Sequence, residues 1–262
     1  MVAPVRADRP EGCAWITGAS SGLGRALALR LARAGWTVAA SARRRELLEE
    51  LASAAEALPG RIVPMPLDVT DREAVHERVA EIECDLGPVA LAVLNAGTFT
   101  PLSVETFTAE AVRPLVELNV MGVVHGLEAL LPAMLERQRG RVAIVASLAG
   151  YCGLPTAAGY GLAKAGVINM AEALHPELAR RGVILQVINP GFVRTPLTAR
   201  NDFPMPFLMD VEAATEAAFK GLSRARFEIA FPRLFVALMK LMRLLPYPVF
   251  FRLTRRMLRR PA

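Results

Sequence analysis

Residues 13–24 read Cys13-Ala14-Trp15-Ile16-Thr17-Gly18-Ala19-Ser20-Ser21-Gly22-Leu23-Gly24. The apolar run Cys13–Thr17 ends at a glycine, which predicts a short buried strand. The apolar spacing over Leu23–Ala34 predicts a helix directly after it. Between the two lie Gly18, Gly22 and Gly24, spaced GxxxGxG, with Ser20, Ser21 and Leu23 filling the loop. Glycine at such a junction permits a tight reversal, close approach of backbone to a ligand, and close packing of helix on strand. The helix N-terminus offers unpaired N–H groups and the positive end of a dipole, which suit a pyrophosphate.

Outward from this turn, short apolar runs alternate with longer helical patterns. Trp36–Ser41, Ile62–Leu67, Val89–Leu94, Val142–Ala146 and Val183–Asn189 read as strands, and Arg226–Phe231 as a late one. Glu46–Leu58, Arg72–Cys84, Ala109–Arg137 and Ala157–Arg181 read as helices. Strands apolar along their whole length predict a sheet buried on both faces. Alternation of β and α predicts an α/β fold with a doubly wound parallel sheet, and right-handed crossovers place helices on both sides. No solenoid repeat or low-complexity linker interrupts the pattern.

From Gly12 to Thr195 the chain resembles the short-chain dehydrogenase/reductase family, element by element and in that family's order. TGASSGLG is similar to its cofactor signature. Asp68 in LDVT resembles the adenine-contacting acid after the third strand, and Asn95-Ala96-Gly97 the element after the fourth. Asn119 in VELNVMG resembles the helical Asn that holds a water in a proton relay. Ser147 follows the fifth strand, Tyr160 and Lys164 form a YxxxK pair, and Pro190-Gly191 with Thr195 resembles the segment that closes over the nicotinamide. Singly, each has a plainer reading: Asp68 as a cap for a helix at Asp71, NAG as a turn, Asn119 as a polar helix residue bonding backbone. Together they imply a Rossmann-like α/β/α three-layer fold and hydride transfer between nicotinamide and a carbonyl or secondary alcohol. The resemblance also implies a homodimer or homotetramer. A dinucleotide-binding sensor or a membrane-associated scaffold on the same fold, without chemistry, is the alternative.

Tyr160 and Lys164, at i and i+4, share one helix face. A free tyrosine titrates near ~10, and a nearby ammonium favours the phenolate. Lys164 is therefore expected to lower the Tyr160 pKa, so that Tyr160 exchanges a proton with the substrate oxygen. Ser147 is expected to orient that oxygen, and the resemblance implies that Lys164 also holds the nicotinamide ribose. Relatives that prefer NAD place an acid at the end of the second strand. Here that position is Ala42, followed by Arg43, which suits the 2′-phosphate of NADP better than NAD. Pro176 is expected to kink or interrupt the helix that carries Tyr160, and His175 reads as structural.

At 262 residues, 53% of them hydrophobic, the chain suits one large domain with a sizeable core. Cys13, Cys84 and Cys152 form no pair or metal spacing, so buried or half-buried thiols in a reducing compartment and no metal are expected. Residues 1–12 read as a polar arm with no secretory pattern, which suggests a cytoplasmic protein. The charge is uneven. From Arg224 onward stand ten Lys/Arg against one acid, Glu228, so the overall +6 leaves residues 1–223 at −3. Nucleic-acid binding is not expected from a basic balance confined to a tail.

Two regions stay open in the sequence. Phe192–Asp210, rich in Phe, Met and Pro, either builds an apolar substrate pocket or packs a lid on the core. Residues 1–231 read as the dinucleotide-binding domain and 232–262 as its basic amphipathic helical extension. Arg252, Arg255, Arg256, Arg259 and Arg260 recur at helical spacing, with Phe250, Leu253, Met257 and Leu258 favouring the other side. Such a stretch either lies on a membrane surface or docks on protein. A hydrophobic small-molecule substrate fits both regions.

Overall fold

A computed structural model describes residues 5–8 and 10–258. The strands are β1 (Cys13–Thr17), β2 (Thr37–Ser41), β3 (Arg61–Pro64), β4 (Val89–Leu94), β5 (Gly140–Val145), β6 (Val183–Pro190) and β7 (Glu228–Phe231). They form one sheet in the order β3-β2-β1-β4-β5-β6-β7, every pair parallel. The order reverses between β1 and β4. In doubly wound sheets the crevice beyond the strand C-termini at that switch point receives the ligand.

The helices are α1 (Gly22–Arg33), α2 (Arg45–Ser53), α3 (Arg72–Leu86), α4 (Ala109–Val116), α5 (Gly122–Glu136), α6 (Ala158–Arg180), α7 (Val211–Leu222), α8 (Arg233–Leu244) and α9 (Tyr247–Arg255). Two cores flank the sheet. One joins Leu27 and Leu31 of α1, Leu48 and Leu51 of α2, and Ala214 and Leu222 of α7 to the sheet. The other joins Val75 and Ile82 of α3, Leu127 and Met134 of α5, Val167 of α6, Met239 of α8 and Phe250 of α9. The three-layer α/β/α architecture is therefore as the strand and helix periods predict.

Four readings need correction. Residues 5–8 are no loose polar arm: Val5 and Ala7 are buried, and Trp36 Nε1 donates to the Ala7 carbonyl at 2.7 Å. The run 109–136 is not one α-helix, because a π turn over Glu117–Met121 separates α4 from α5. That run is long and apolar enough to cross a bilayer (28 residues, mean hydropathy 1.5), but Leu127, Leu130 and Met134 bury in the core. α6 is not interrupted at Pro176. Pro176 and Glu172 are exposed, so water serves the carbonyl that loses its N–H partner, while buried Ala171 and Leu178 hold the helix down. His175 packs edge-on against Phe227, a structural contact. Finally, the tail is two helices rather than one stripe. Leu245 and Pro246 separate them, α9 ends at Arg255, and Arg259 and Arg260 lie outside the described residues.

Arg141 on β5 is fully buried and donates to the carbonyls of Val5 (2.7 Å) and Arg224 (2.8 Å) and to Gln186 Oε1. All three acceptors are neutral, and burial pulls the guanidinium pKa down to about 10. It clips the N-terminal segment and the loop before β7 to the middle of the sheet. Truncation leaves buried acceptors unpaired, so Arg141→Ala should lower the unfolding free energy by about 3 kcal/mol in a urea titration. A loss well under 1 kcal/mol would contradict this account.

Candidate active site

The site begins where β1 meets α1. Thr17 Oγ1 accepts from the backbone N–H groups of Asn95 (2.9 Å) and Ala96 (3.1 Å). Asn95 Nδ2 returns hydrogen bonds to the carbonyls of Thr17 (2.9 Å) and Gly18 (3.2 Å). Gly18 turns with φ +68°, and a Cβ on it would stand 2.8 Å from Ala96 Cα. The ends of β1 and β4 are thus stitched together, with the Asn95 amide spent inward. Gly24 takes the packing role. A Cβ there would meet Asn95 Nδ2 at 2.4 Å and the Gly18 carbonyl at 2.5 Å, so it packs helix on turn and does not line the cleft. Ser21 caps α1 in extended backbone, and its side chain makes no cap hydrogen bond.

One wall comes from the ends of β2 and β3. Ala42 is buried and brings no carboxylate. Arg43 is largely exposed, with Nη1 4.0 Å from Asp68 Oδ2. Asp68 Oδ1 accepts from Thr70 N (3.0 Å) and Oγ1 (2.8 Å), while Asp71 caps α3 through Ala74 N at 3.0 Å. Asp68 therefore orders the turn before α3 and leaves the capping to Asp71. Arg44, unremarked in the sequence reading, donates to Ser20 Oγ at 3.0 Å and so reaches back over the first turn. The only sequence signal was its place beside Arg43.

The opposite wall carries Ser147, Tyr160 and Lys164. Ser147 leaves β5 in extended backbone, and Tyr160 stands in the first turn of α6. Both side chains line the same cleft, and the Ser147 hydroxyl favours the ionised form of the phenol. One turn on, Lys164 is buried, donates to the Val145 carbonyl at 2.8 Å, and holds Nζ 5.7 Å from the centre of the Tyr160 ring. The sequence reading has Lys164 lowering the phenol pKa. In the structure burial is the larger effect and raises Tyr160, with the nearby Ser147 hydroxyl opposing it. The same desolvation lowers Lys164 to about 8. Desolvation disfavours both charged forms.

Asn119 sits in the π turn, fully buried. Its Nδ2 donates to the carbonyls of Leu115 (2.9 Å) and Thr98 (3.0 Å), and its Oδ1 accepts from Thr98 N at 3.2 Å. Both amide hydrogens are spent on backbone, fixing the segment after Gly97 beside Lys164. The segment after Pro190-Gly191 is held by Thr198, whose Oγ1 accepts from Thr195 N (3.0 Å) and donates to the Val193 carbonyl (2.5 Å).

Apart from Gly24, every residue expected in the site lines one open cleft of about 520 Å³. Beside it runs a chain of rings. Phe99 meets Tyr160 edge-on at 5.2 Å and Phe203 at 6.4 Å. Phe203 meets Phe192 at 6.0 Å, Phe192 stacks on Phe235 at 5.7 Å, and Phe235 stacks on Phe207 at 5.6 Å. Phe99 and Phe235 were missed in the sequence, since neither belongs to a motif and only the fold brings them to the lid.

A family model described as short chain dehydrogenase matches residues 12–203. An uncharacterized oxidoreductase of Myxococcus xanthus is 41% identical over 244 residues, covering 93% of this chain and 96% of its own length. The 3-oxoacyl-[acyl-carrier-protein] reductase FabG of Thermotoga maritima is 34% identical over 226 residues, 85% of this chain and 88% of that one. Among solved structures, a short-chain dehydrogenase from Sphingobium yanoikuyae in complex with NADPH superposes with a TM-score of 0.78 at 25% identity, covering 90% of this chain and 97% of that one. With the family model spanning most of its length and the relatives covered nearly end to end, this chain belongs to the short-chain dehydrogenase family and is a nicotinamide-dependent oxidoreductase of carbonyl and CH–OH groups.

Proposed function

We propose that the protein transfers hydride between NADP(H) and a hydrophobic carbonyl compound or secondary alcohol, with Tyr160 as acid/base. The observation that carries this reading is Tyr160 itself. It lines the cleft with Ser147, has buried Lys164 one turn away, and lies edge-on to the first ring of an aromatic wall. A sensor that only bound dinucleotide would need neither the phenol nor a buried ammonium beside it.

The cleft fits the cofactor. Gly18, Ser20, Ser21 and Gly22 line the cleft at the start of α1, where a pyrophosphate would meet the helix N-terminus. Ala42 offers no acid to a ribose, while Arg43, Arg44 and Ser20 gather at the same end, suited to a 2′-phosphate. When bound, the nicotinamide supplies or accepts hydride and, oxidised, places a positive charge near the phenol. Ser147 then holds the substrate oxygen by its hydroxyl. In reduction Tyr160 Oη gives its proton to that oxygen as hydride reaches carbon. In oxidation it takes the proton back. Lys164, buried one turn away, stabilises the transient phenolate. Asn119, through Thr98, fixes the wall opposite. The Thermotoga relative's name is that of a 3-oxoacyl reductase, and an acyl chain suits a wall of phenylalanines.

Tyr160→Phe should cut turnover by about a thousandfold while leaving NADPH affinity, read by fluorescence titration, within about twofold. Unchanged turnover would overturn the mechanism. Replacing Arg43 and Arg44 with Ala should weaken NADPH binding about tenfold or more and leave NADH binding nearly unchanged, since a charge-assisted bond to phosphate is what is removed. An equal loss for both cofactors would remove the basis for the NADP preference.

A further inference from the structure

The C-terminal helices leave an unusual surface. Of fourteen large apolar side chains exposed among the described residues, ten lie between Leu234 and Leu258. The sequence there is also one-signed: eight Lys/Arg and no acid follow Glu228. On α8, Phe235, Met239 and Met242 are buried and anchor the helix to the sheet. Leu234, Leu238 and Leu241, at i, i+4 and i+7, make a second stripe that the fold does not use, 72%, 44% and 59% exposed. On α9, Phe250 and Thr254 are buried, while Tyr247 and Phe251 stack on each other at 5.5 Å in the open. Arg233, Arg243, Arg252, Arg255 and Arg256 are exposed around these apolar groups.

We propose that the α8–α9 face docks on an anionic phospholipid bilayer. Leucine, an amphipathic tyrosine and arginines, without acids, make up the composition of helices that lie in the headgroup plane. Lipid phosphates and acidic headgroups complement the uncompensated positive charge. A second copy of the chain fits the same face poorly. A two-fold contact sets each patch against itself, and here that brings like charges together around the leucines.

The face is continuous with the site. Leu234 adjoins Phe235, whose ring stacks on Phe192 and Phe207 and would stand 2.8 Å from a Cβ on Gly191. Phe207, 46% exposed, is the outer end of the ring chain that reaches Tyr160. Docking would therefore set the open end of the aromatic wall near the bilayer, where a carbonyl or alcohol on a lipid-like body is dissolved. This last step rests on the hydrophobic substrate proposed above. The docking itself is read without turnover, so the two fail separately.

The test is co-sedimentation of the full chain with phosphatidylcholine vesicles and with vesicles of equal parts phosphatidylcholine and phosphatidylglycerol. Binding to the anionic vesicles should be about tenfold stronger than to the zwitterionic ones, and salt should weaken it. Leu234→Gln with Leu238→Gln and Leu241→Gln should lower the bound fraction about tenfold, with circular dichroism and NADPH affinity unchanged. Arg252→Gln with Arg255→Gln and Arg256→Gln should reduce the anionic preference with the leucine stripe intact. Failure of the parent chain to bind anionic vesicles, or equal binding by the leucine variant, overturns the proposal. So does a parent dimer that the leucine substitutions split while no vesicle binding is seen, which would make the face a protein interface.

Discussion

Everything at the site hangs from the stitch between the ends of β1 and β4. Parallel strands diverge at a switch point because their crossover helices leave on opposite sides of the sheet. The gap has to be held open at one width for a dinucleotide to lie across it. Thr17 Oγ1, taking two N–H groups from the far strand, and the Asn95 amide, returning two bonds to the near one, fix that width. Gly18 and Gly24 follow from the same constraint. Both lie where a Cβ would strike the partner strand's exit, so the close approach that makes the stitch also requires glycine.

The second determinant is desolvation. Lys164 is buried with a backbone carbonyl as its hydrogen-bond partner, and desolvation works against its charge and against a Tyr160 phenolate alike. Burial thus favours the neutral phenol. The i, i+4 spacing puts the pair on one face, but the burial around them sets which proton states are favoured. The aromatic wall extends that dry environment away from the phenol, along rings from four separate stretches of chain.

The lid and the tail are joined to the sheet through Glu228. Its Oε1 accepts from the Tyr151 hydroxyl and from Asn189 Nδ2 (3.2 Å), and its Oε2 accepts from Lys240 of α8. Burial opposes the charge, yet the Lys240 ammonium and Tyr151 hydroxyl hold the carboxyl below its usual range. Tyr151 follows Ser147 by one turn and Asn189 precedes Pro190-Gly191. One carboxylate thus connects the catalytic strand end, the closing segment and α8, which keeps the helical extension in register with the pocket it borders.

By itself the sequence determined the layered α/β order, because strand and helix periods are local properties of apolar spacing, and it determined the glycine turn between β1 and α1 and the places of Ser147, Tyr160 and Lys164, because each stands at a fixed offset from a strand end or helix start. It also located the missing acid at Ala42. What it could not carry were quantities set by neighbours distant in the chain. The N-terminal residues look polar yet bury Val5 and Ala7, since Trp36 and Arg141 await them. Pro176 is tolerated because its side of α6 faces water. Gly24 leaves the cleft, Arg44 joins it, and Phe99 and Phe235 complete a wall, all by packing across long separations. The i, i+4 spacing predicts a phenol lowered by Lys164, but desolvation raises it, and desolvation is decided only when the whole tertiary structure closes around the pair.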